Sequence, residues 1–123
     1  MNTKVRFRMR LYRDDAIVIG PGKVALLEAI REAGSISGAA RMLGMSYRRA
    51  WMLLDEMNGA LVSPAVITAT GGSRGGGATL TPVGECIIRH YQAIESRAEQ
   101  AAAEDIAALK ALLAADQNRS TSG

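Results

Sequence analysis

Apolar and polar residues alternate strictly near the start of the chain. One face of the alternating segment is apolar and the other is charged, with Val5, Phe7, Met9 and Leu11 opposite Arg6, Arg8 and Arg10. A period of two is that of a strand with one buried face. The turn residues Arg13, Asp14 and Asp15 separate this strand from a second apolar run, Ile17 to Ile19. The sequence therefore predicts an N-terminal β-hairpin over residues 4–19.

Helical spacing takes over after Gly20, Pro21 and Gly22. The segment from Lys23 to Ala33 carries apolar residues three apart, and Gly34 is a C-terminal stop. Residues 34–58 then predict two short helices, over about 38–43 and 47–57, with Gly44 in the turn between them. Ser37 and Ser46 are the expected N-caps, because a serine there accepts hydrogen bonds from free backbone N–H groups. This order is typical of a helix-turn-helix.

The second helix of this pair has an apolar face and a basic N-terminal end. Its apolar positions recur three or four residues apart, at Ala50, Leu53, Leu54 and Met57. Arg48, Arg49 and Met52 lie on the remaining surface, near the end where the helix dipole favours anions. Asp55 and Glu56 lie toward the other end and would repel phosphates. We expect the N-terminal half to enter a DNA groove; the alternative is a helical hairpin with solvated arginines.

A second β-hairpin is predicted over residues 65–80. The runs 65–69 and 78–80 flank a loop with five glycines between Gly71 and Gly77 and one charge, Arg74. Such a wing can lay Arg74 along the minor groove or backbone of DNA; a disordered linker is the alternative. The loop nearly matches a nucleotide-binding phosphate loop, but Ala78 stands where that motif needs lysine, so nucleotide binding is not expected.

The C-terminal third predicts one long helix. Thr81 is the cap and Pro82 the first helical residue, and helical spacing continues to about Ala115. The apolar stripe comprises Val83, Ile87, Tyr91, Ile94, Ala98, Ala102, Ile106, Leu109 and Leu113. A helix of this length spans about 50 Å, more than the body is wide, so its stripe predicts a second copy as partner. Residues 116–123 are expected to be a disordered tail.

Charge and cysteine content fit this picture. Residues 1–80 hold eleven basic and six acidic side chains, a balance of +5, whereas residues 81–123 hold four and six, a balance of −2. A basic body with an acidic extension is typical of a phosphate-binding module attached to a segment that avoids phosphate. The single cysteine, Cys86, permits no intrachain disulfide. The N-terminus lacks a continuous apolar run, so we expect a cytoplasmic protein without a membrane span.

Several single residues admit two interpretations. The arginine row of the first strand is either a charged outer face or part of a DNA-binding surface. Cys86 and His90 are four apart, but two ligands do not make a metal site, so no metal is expected. Trp51 and Tyr47 could stack on bases or pack in the core. No group of nucleophile, base and orienting acid is evident, which disfavours an enzyme.

The helix pair, wing and following helix together resemble the DNA-binding domain of the ModE family of molybdate-responsive transcriptional regulators, similar to the winged helix of LysR-type regulators. The shared features are Gly34-Ser35-Ile36-Ser37, Ala39-Ala40, Ser46-Tyr47, Ala50-Trp51, Met57-Asn58, Thr70-Gly71-Gly72, Gly75 to Ala78, Leu80-Thr81, Gly84 and Tyr91. The resemblance implies a homodimer on a pseudo-palindromic operator, with half-sites about one helical turn, or a multiple of it, apart. Full-length members carry C-terminal molybdate-binding domains, and only about thirty residues follow Tyr91 here. No cofactor is therefore expected of this chain, although the resemblance would suggest molybdate or tungstate.

These observations predict a mainly α fold with a small β content. A winged helix-turn-helix would occupy residues 1–81 and a dimerisation helix residues 82–115. We expect Ser46, Arg48 and Arg49 to meet base edges or phosphates, Tyr47 the backbone, Arg74 the flanking groove and Arg41 a phosphate. The predicted function is that of a sequence-specific transcriptional regulator that binds double-stranded DNA as a homodimer. The alternatives are a nucleoid-type architectural protein of low sequence specificity and a protein-interaction adaptor.

Overall fold

A computed structural model describes residues 3–69 and 77–115 of the chain. It contains two short antiparallel hairpins and five helices in these ranges. In chain order the elements are β1 (Leu11–Arg13), β2 (Ala16–Ile19), α1 (Pro21–Ala33), α2 (Ile36–Leu43), α3 (Tyr47–Ala60), β3 (Val66–Ala69), β4 (Gly77–Leu80), α4 (Pro82–Ala101) and α5 (Ala103–Lys110). This arrangement is a winged helix-turn-helix preceded by a hairpin, as the sequence predicts, and it is followed by two helices.

The core lies where α1 meets α2, α3, β4 and α4. Its largest fully buried side chains come from two helices: Leu26, Leu27 and Ile30 of α1 and Leu54 and Met57 of α3. Close packing of such side chains is the main stabilising contribution in a small domain. Helix α1 is therefore the scaffold on which the helix-turn-helix and the wing are assembled.

The N-terminal hairpin is shorter than predicted. Only Leu11–Arg13 pairs with Ala16–Ile19, and Leu11 is opposite Ile19. The strand prediction for Val5 to Leu11 was wrong, because β2 ends at Ile19 and the chain turns into α1 at Gly20, leaving residues 5–10 no strand to pair with. The alternation holds over residues 5–10: Val5, Phe7 and Met9 are half-buried, whereas the three arginines between and after them are exposed. Leu11, the fourth residue of the predicted apolar face, is 50% exposed, so the prediction was wrong for that residue.

The first helix of the helix-turn-helix begins earlier than predicted. Its N-cap is Ser35, not Ser37, because the Ser35 hydroxyl accepts a 3.0 Å hydrogen bond from the Gly38 N–H. Ile36 is then the first helical residue, and its side chain is buried in the core. Burial of this isoleucine distinguishes two serines that are otherwise equally suitable caps.

The C-terminal helix is interrupted. Helix α4 ends at Ala101, Ala102 has φ −98° and ψ 9°, and α5 begins at Ala103. The single helix predicted through Ala115 was therefore wrong, and the unbroken part spans about 30 Å. Three consecutive alanines have high helix propensity, so propensity does not explain the interruption; Glu104 and Asp105 favour a new N-terminus there, since acidic side chains stabilise the first turn of a helix.

No helix in the described part of the chain is both long and apolar enough to cross a lipid bilayer. The segment 70–76, which contains Arg74, and the predicted tail 116–123 lie outside the described residues.

Candidate nucleic-acid interface

The turn between α2 and α3 is fixed by two caps. Gly44 adopts the left-handed conformation, with φ 67° and ψ 30°, which ends α2. Ser46 then caps α3, and its hydroxyl accepts a 3.0 Å hydrogen bond from the Arg49 N–H. Both features confirm the predicted local geometry. The N-terminal end of α3 therefore has a defined direction relative to α2.

The candidate residues on this end of α3 are brought together on the surface. Ser46, Tyr47, Arg48 and Arg49 are all exposed, as is Arg41 on α2. The Tyr47 ring meets the Trp51 ring edge-on, with centroids 6.3 Å apart and planes at 79°. Trp51 is half-buried against the core, so it holds Tyr47 beside the first turn of α3. Packing is thus the observed role of Trp51, and Tyr47 remains accessible.

The two arginines of this turn face different surroundings. Arg49 lines an open cleft of about 1140 Å³ between the N-terminal hairpin and α3, together with Leu53 and Glu56. Arg48, one turn before Met52, is exposed and does not line this cleft. Within residues 3–69 and 77–115, neither arginine takes part in an ion pair. Both guanidinium groups are thus available to an anionic partner, from different directions.

A buried lysine near the start of α1 links this helix to its neighbours. Lys23 is 7% exposed, and its Nζ donates a 2.6 Å hydrogen bond to the Ile17 carbonyl oxygen. The same Nζ lies 3.4 Å from Oε1 of Glu56 on α3. A buried ammonium group needs such partners. The Glu56 carboxylate in the C-terminal half of α3 therefore helps to position α3 against α1.

The base of the wing is tied to α3 by Asn58. Its Oδ1 accepts a 2.8 Å hydrogen bond from the Ala65 N–H, and its Nδ2 donates a 3.4 Å bond to the Val66 carbonyl oxygen. Strands β3 and β4 pair in register from Val66 with Leu80 to Ala69 with Gly77. The sequence signal for Asn58 was its place immediately after Met57, near the predicted end of this helix, which continues to Ala60. The wing thus leaves the body at a fixed position relative to α3.

The wing base also packs against the start of α4. Thr81 caps α4 by accepting a 3.2 Å hydrogen bond from the Gly84 N–H, and its hydroxyl donates a 2.7 Å bond to the Pro64 carbonyl oxygen. The Thr81 N–H donates to the Ala65 carbonyl oxygen at 2.9 Å. A Cβ atom on Gly84 would lie 2.3 Å from that same oxygen. Only glycine permits this close approach of α4 to the wing.

The predicted dimerisation residues have unequal exposure. Ile94, Leu109 and Leu113 are exposed, whereas Val83, Ile87, Ala98 and Ile106 are half-buried. Tyr91 differs from both groups: it is 3% exposed in the chain's own core, and its hydroxyl donates a 2.9 Å hydrogen bond to the Met9 carbonyl oxygen. Burial and the nearby Glu95 carboxylate raise the pKa of Tyr91. Its ring thus has little surface left for a partner.

An apolar groove lies along α4. The groove measures about 270 Å³ and lies between the N-terminal segment and α4; its lining includes Met9, Leu11, Ile19, Val83, Ile87 and Ile94. Cys86 and His90 also line it, and Arg89 donates a 3.6 Å hydrogen bond to the Cys86 sulfur. Among the residues that the structure describes, no group of three or more His, Cys, Asp or Glu side chains could hold a metal ion.

Comparison with known proteins identifies several relatives by sequence. The chain is 53% identical over 78 residues to a molybdenum-pterin-binding protein, MopB, of Rhodobacter capsulatus, covering 63% of this chain and 29% of that protein. It is 38% identical over 114 residues to the transcriptional regulator ModE of Yersinia pestis, covering 90% and 41%. It is 35% identical over 115 residues to the DNA-binding transcriptional dual regulator ModE of Escherichia coli K12, covering 90% and 42%.

The chain thus spans less than half the length of each of these relatives. No protein-family model matches it. A crystal structure of ArgP from Mycobacterium tuberculosis aligns with 73% of this chain and 30% of that one, at a TM-score of 0.47 and 19% identity.

Proposed function

Because the chain belongs to the ModE family over most of its own length, we propose that it is a transcriptional regulator that binds specific DNA sequences as a homodimer. The observation that carries the proposal is the exposed end of α3, where Ser46, Tyr47 and Arg48 stand on a rigid helix-turn-helix. A regulator of this kind is not an enzyme. It acts in the cytoplasm, where the chromosome lies.

The N-terminal half of α3 would enter the major groove. Free N–H groups and the helix dipole attract phosphates at this end, and arginine pairs with guanine through two hydrogen bonds. Arg48, on the outward surface, is assigned to a base edge. Arg49, beside the hairpin, is assigned to a phosphate, as is Arg41 on α2. The Tyr47 hydroxyl would donate a hydrogen bond to a phosphate of the DNA backbone, which positions the helix without reading sequence.

The wing would contact the DNA that flanks the groove. Asn58 and Thr81 hold the wing base against α3 and α4, so the hairpin projects from a fixed point. Arg74, outside the described residues, is assigned to the flanking minor groove or backbone. A glycine-rich loop allows close approach of backbone to DNA.

The apolar groove beside α4 would be covered by a second copy of the chain. Ile94, 43% exposed, lines this groove, and Leu109 in α5 and Leu113 just after α5 are further exposed apolar side chains. A C2 dimer places the same patch on both subunits and would present two α3 helices to one duplex. Ile94→Glu should therefore sediment as a monomer and bind DNA more weakly. Val62→Glu, at a fully exposed position in the loop after α3, should leave the wild-type oligomeric state.

In vitro selection from a random duplex pool tests the function. The full chain should enrich a two-fold symmetric sequence and bind it at least about a thousandfold more tightly than a shuffled duplex at the same salt concentration. Equal affinity for both duplexes would support a nucleoid-type architectural protein. Absence of any binding would support the protein-interaction adaptor and overturn the proposal.

A further inference from the structure

One large apolar side chain stands among the charged residues of α3. Met52 is 46% exposed and does not pack against the core, to which Ala50, Leu54 and Met57 contribute from the opposite side of the helix. Residues four apart lie above one another on a helix, so Met52 shares its face with Arg48. The core therefore does not account for a methionine at this position.

Isolated exposed apolar residues are common on protein surfaces, so exposure alone says little. The position of Met52 is what distinguishes it. Met52 follows Arg48 by one turn on the face that, under the proposed function, lies against base edges. Asp55 and Glu56, further along the helix, are the first exposed groups that would repel phosphates. Met52 is thus the last exposed residue of α3 that can approach DNA without such repulsion.

The thioether side chain limits which base it can recognise. Methionine has no hydrogen-bond donor and only a weak acceptor, so it cannot satisfy the amino and carbonyl groups of base edges. The C5-methyl group of thymine is the one apolar feature that the four bases present in the major groove. An unbranched, polarisable side chain can adapt its shape to that methyl group.

We infer that Met52 contacts the C5-methyl group of a thymine and so specifies a base pair close to the one that Arg48 reads. Four residues of helix rise about 6 Å, and successive base pairs are about 3.4 Å apart, so the two base pairs are one or two steps from each other. This inference rests on the proposed function. It adds one residue and one base identity to the recognition surface.

A scan of thymine replacements tests the inference. Each thymine of the selected duplex is replaced in turn by deoxyuridine, which removes only the methyl group, and Kd is measured by fluorescence anisotropy with the full chain. Replacement of one thymine in each half-site should raise the wild-type Kd about fourfold. This factor corresponds to the transfer free energy of one buried methyl group. Met52→Ala should bind the thymine and deoxyuridine duplexes equally, whereas Met52→Leu should keep a preference for thymine.

Met42 provides a matched control, since it is a methionine 51% exposed on the neighbouring helix α2. Met42→Ala should leave the fourfold preference intact. The inference is overturned if no thymine replacement affects the wild type, or if the sensitive position is equally sensitive in Met52→Ala. If selection yields a preferred site but either result follows, only the role of Met52 fails. If selection yields no preferred site, sequence-specific binding fails as well.

Discussion

The contact between α4 and the wing base predicts a large effect from adding one methyl group. In Gly84→Ala the new Cβ would lie 2.3 Å from the Ala65 carbonyl oxygen, whereas real Cβ contacts are essentially never under 3.0 Å. The two backbone segments must therefore separate by at least 0.7 Å, the difference between these distances. The 2.9 Å hydrogen bond from the Thr81 N–H to the same oxygen lies directly beside this overlap.

The expected loss combines three contributions. Overpacking costs about 1–3 kcal/mol, and a strained or lost hydrogen bond about 1 kcal/mol. Helix propensity returns somewhat under 1 kcal/mol when alanine replaces a helical glycine. The net loss in the free energy of unfolding should be about 1–3 kcal/mol, which for a chain of this size lowers the melting temperature by about 4–12 °C.

Gly22 allows a matched control. Gly22 and Gly84 both lie in the first turn of a helix that begins with proline, but a Cβ on Gly22 would meet nothing within 4 Å. Urea and thermal unfolding at one protein concentration should therefore show Gly22→Ala equal to or more stable than the wild type. Equal stability of Gly84→Ala and the wild type, within about 0.5 kcal/mol, would refute the close packing of α4 against the wing.

Two further substitutions test the caps and the core. Ser46→Ala should lower the free energy of unfolding by about 1 kcal/mol because α3 loses its cap, whereas Ser37→Ala should change it by less than about 0.5 kcal/mol; an equal loss in both would contradict Ser46 as the specific cap. Tyr91→Phe should cost about 1 kcal/mol at pH 7 through the lost hydrogen bond to Met9. Because the folded state raises the pKa of Tyr91 above 10.0, it holds the phenolic proton more tightly, and wild-type stability should fall as the pH rises above 10.0. Tyr91→Phe should lose that part of the alkaline decrease in urea unfolding; an unchanged pH dependence would contradict the assignment.

The elements that could be predicted from the sequence are those specified by local features such as caps and apolar spacing. A serine before α3 and a glycine after α2 act within one turn, so the helix-turn-helix followed from the pattern of caps and apolar positions. Helix α3 continues to Ala60, three residues past the predicted end near Met57. The alternation in residues 5–10 likewise identified the buried face correctly.

The errors arose where a non-local contact decides the outcome. Whether Val5 to Leu11 is a strand depends on a partner strand, and β2 is too short to supply one. Tyr91 fits an apolar stripe along α4, but its ring is buried because the N-terminal segment crosses it, and the Met9 carbonyl oxygen accepts a hydrogen bond from its hydroxyl. The sequence does not distinguish Lys23 from an exposed helical lysine. Its burial depends on its contacts with the Ile17 carbonyl oxygen and Glu56. The periodicity of apolar residues does not reveal such contacts between residues on different elements.

The affinity of an α3 variant for its selected duplex tests the central claim most directly. Arg48→Ala should bind about 5- to 150-fold more weakly at fixed salt, because one arginine–guanine pair contributes about 1–3 kcal/mol. Arg97→Ala removes an exposed arginine from α4, far along the chain from the helix-turn-helix, and should bind like the wild type. Unchanged affinity in Arg48→Ala, or an equal loss in both variants, would contradict recognition of DNA by the N-terminal end of α3.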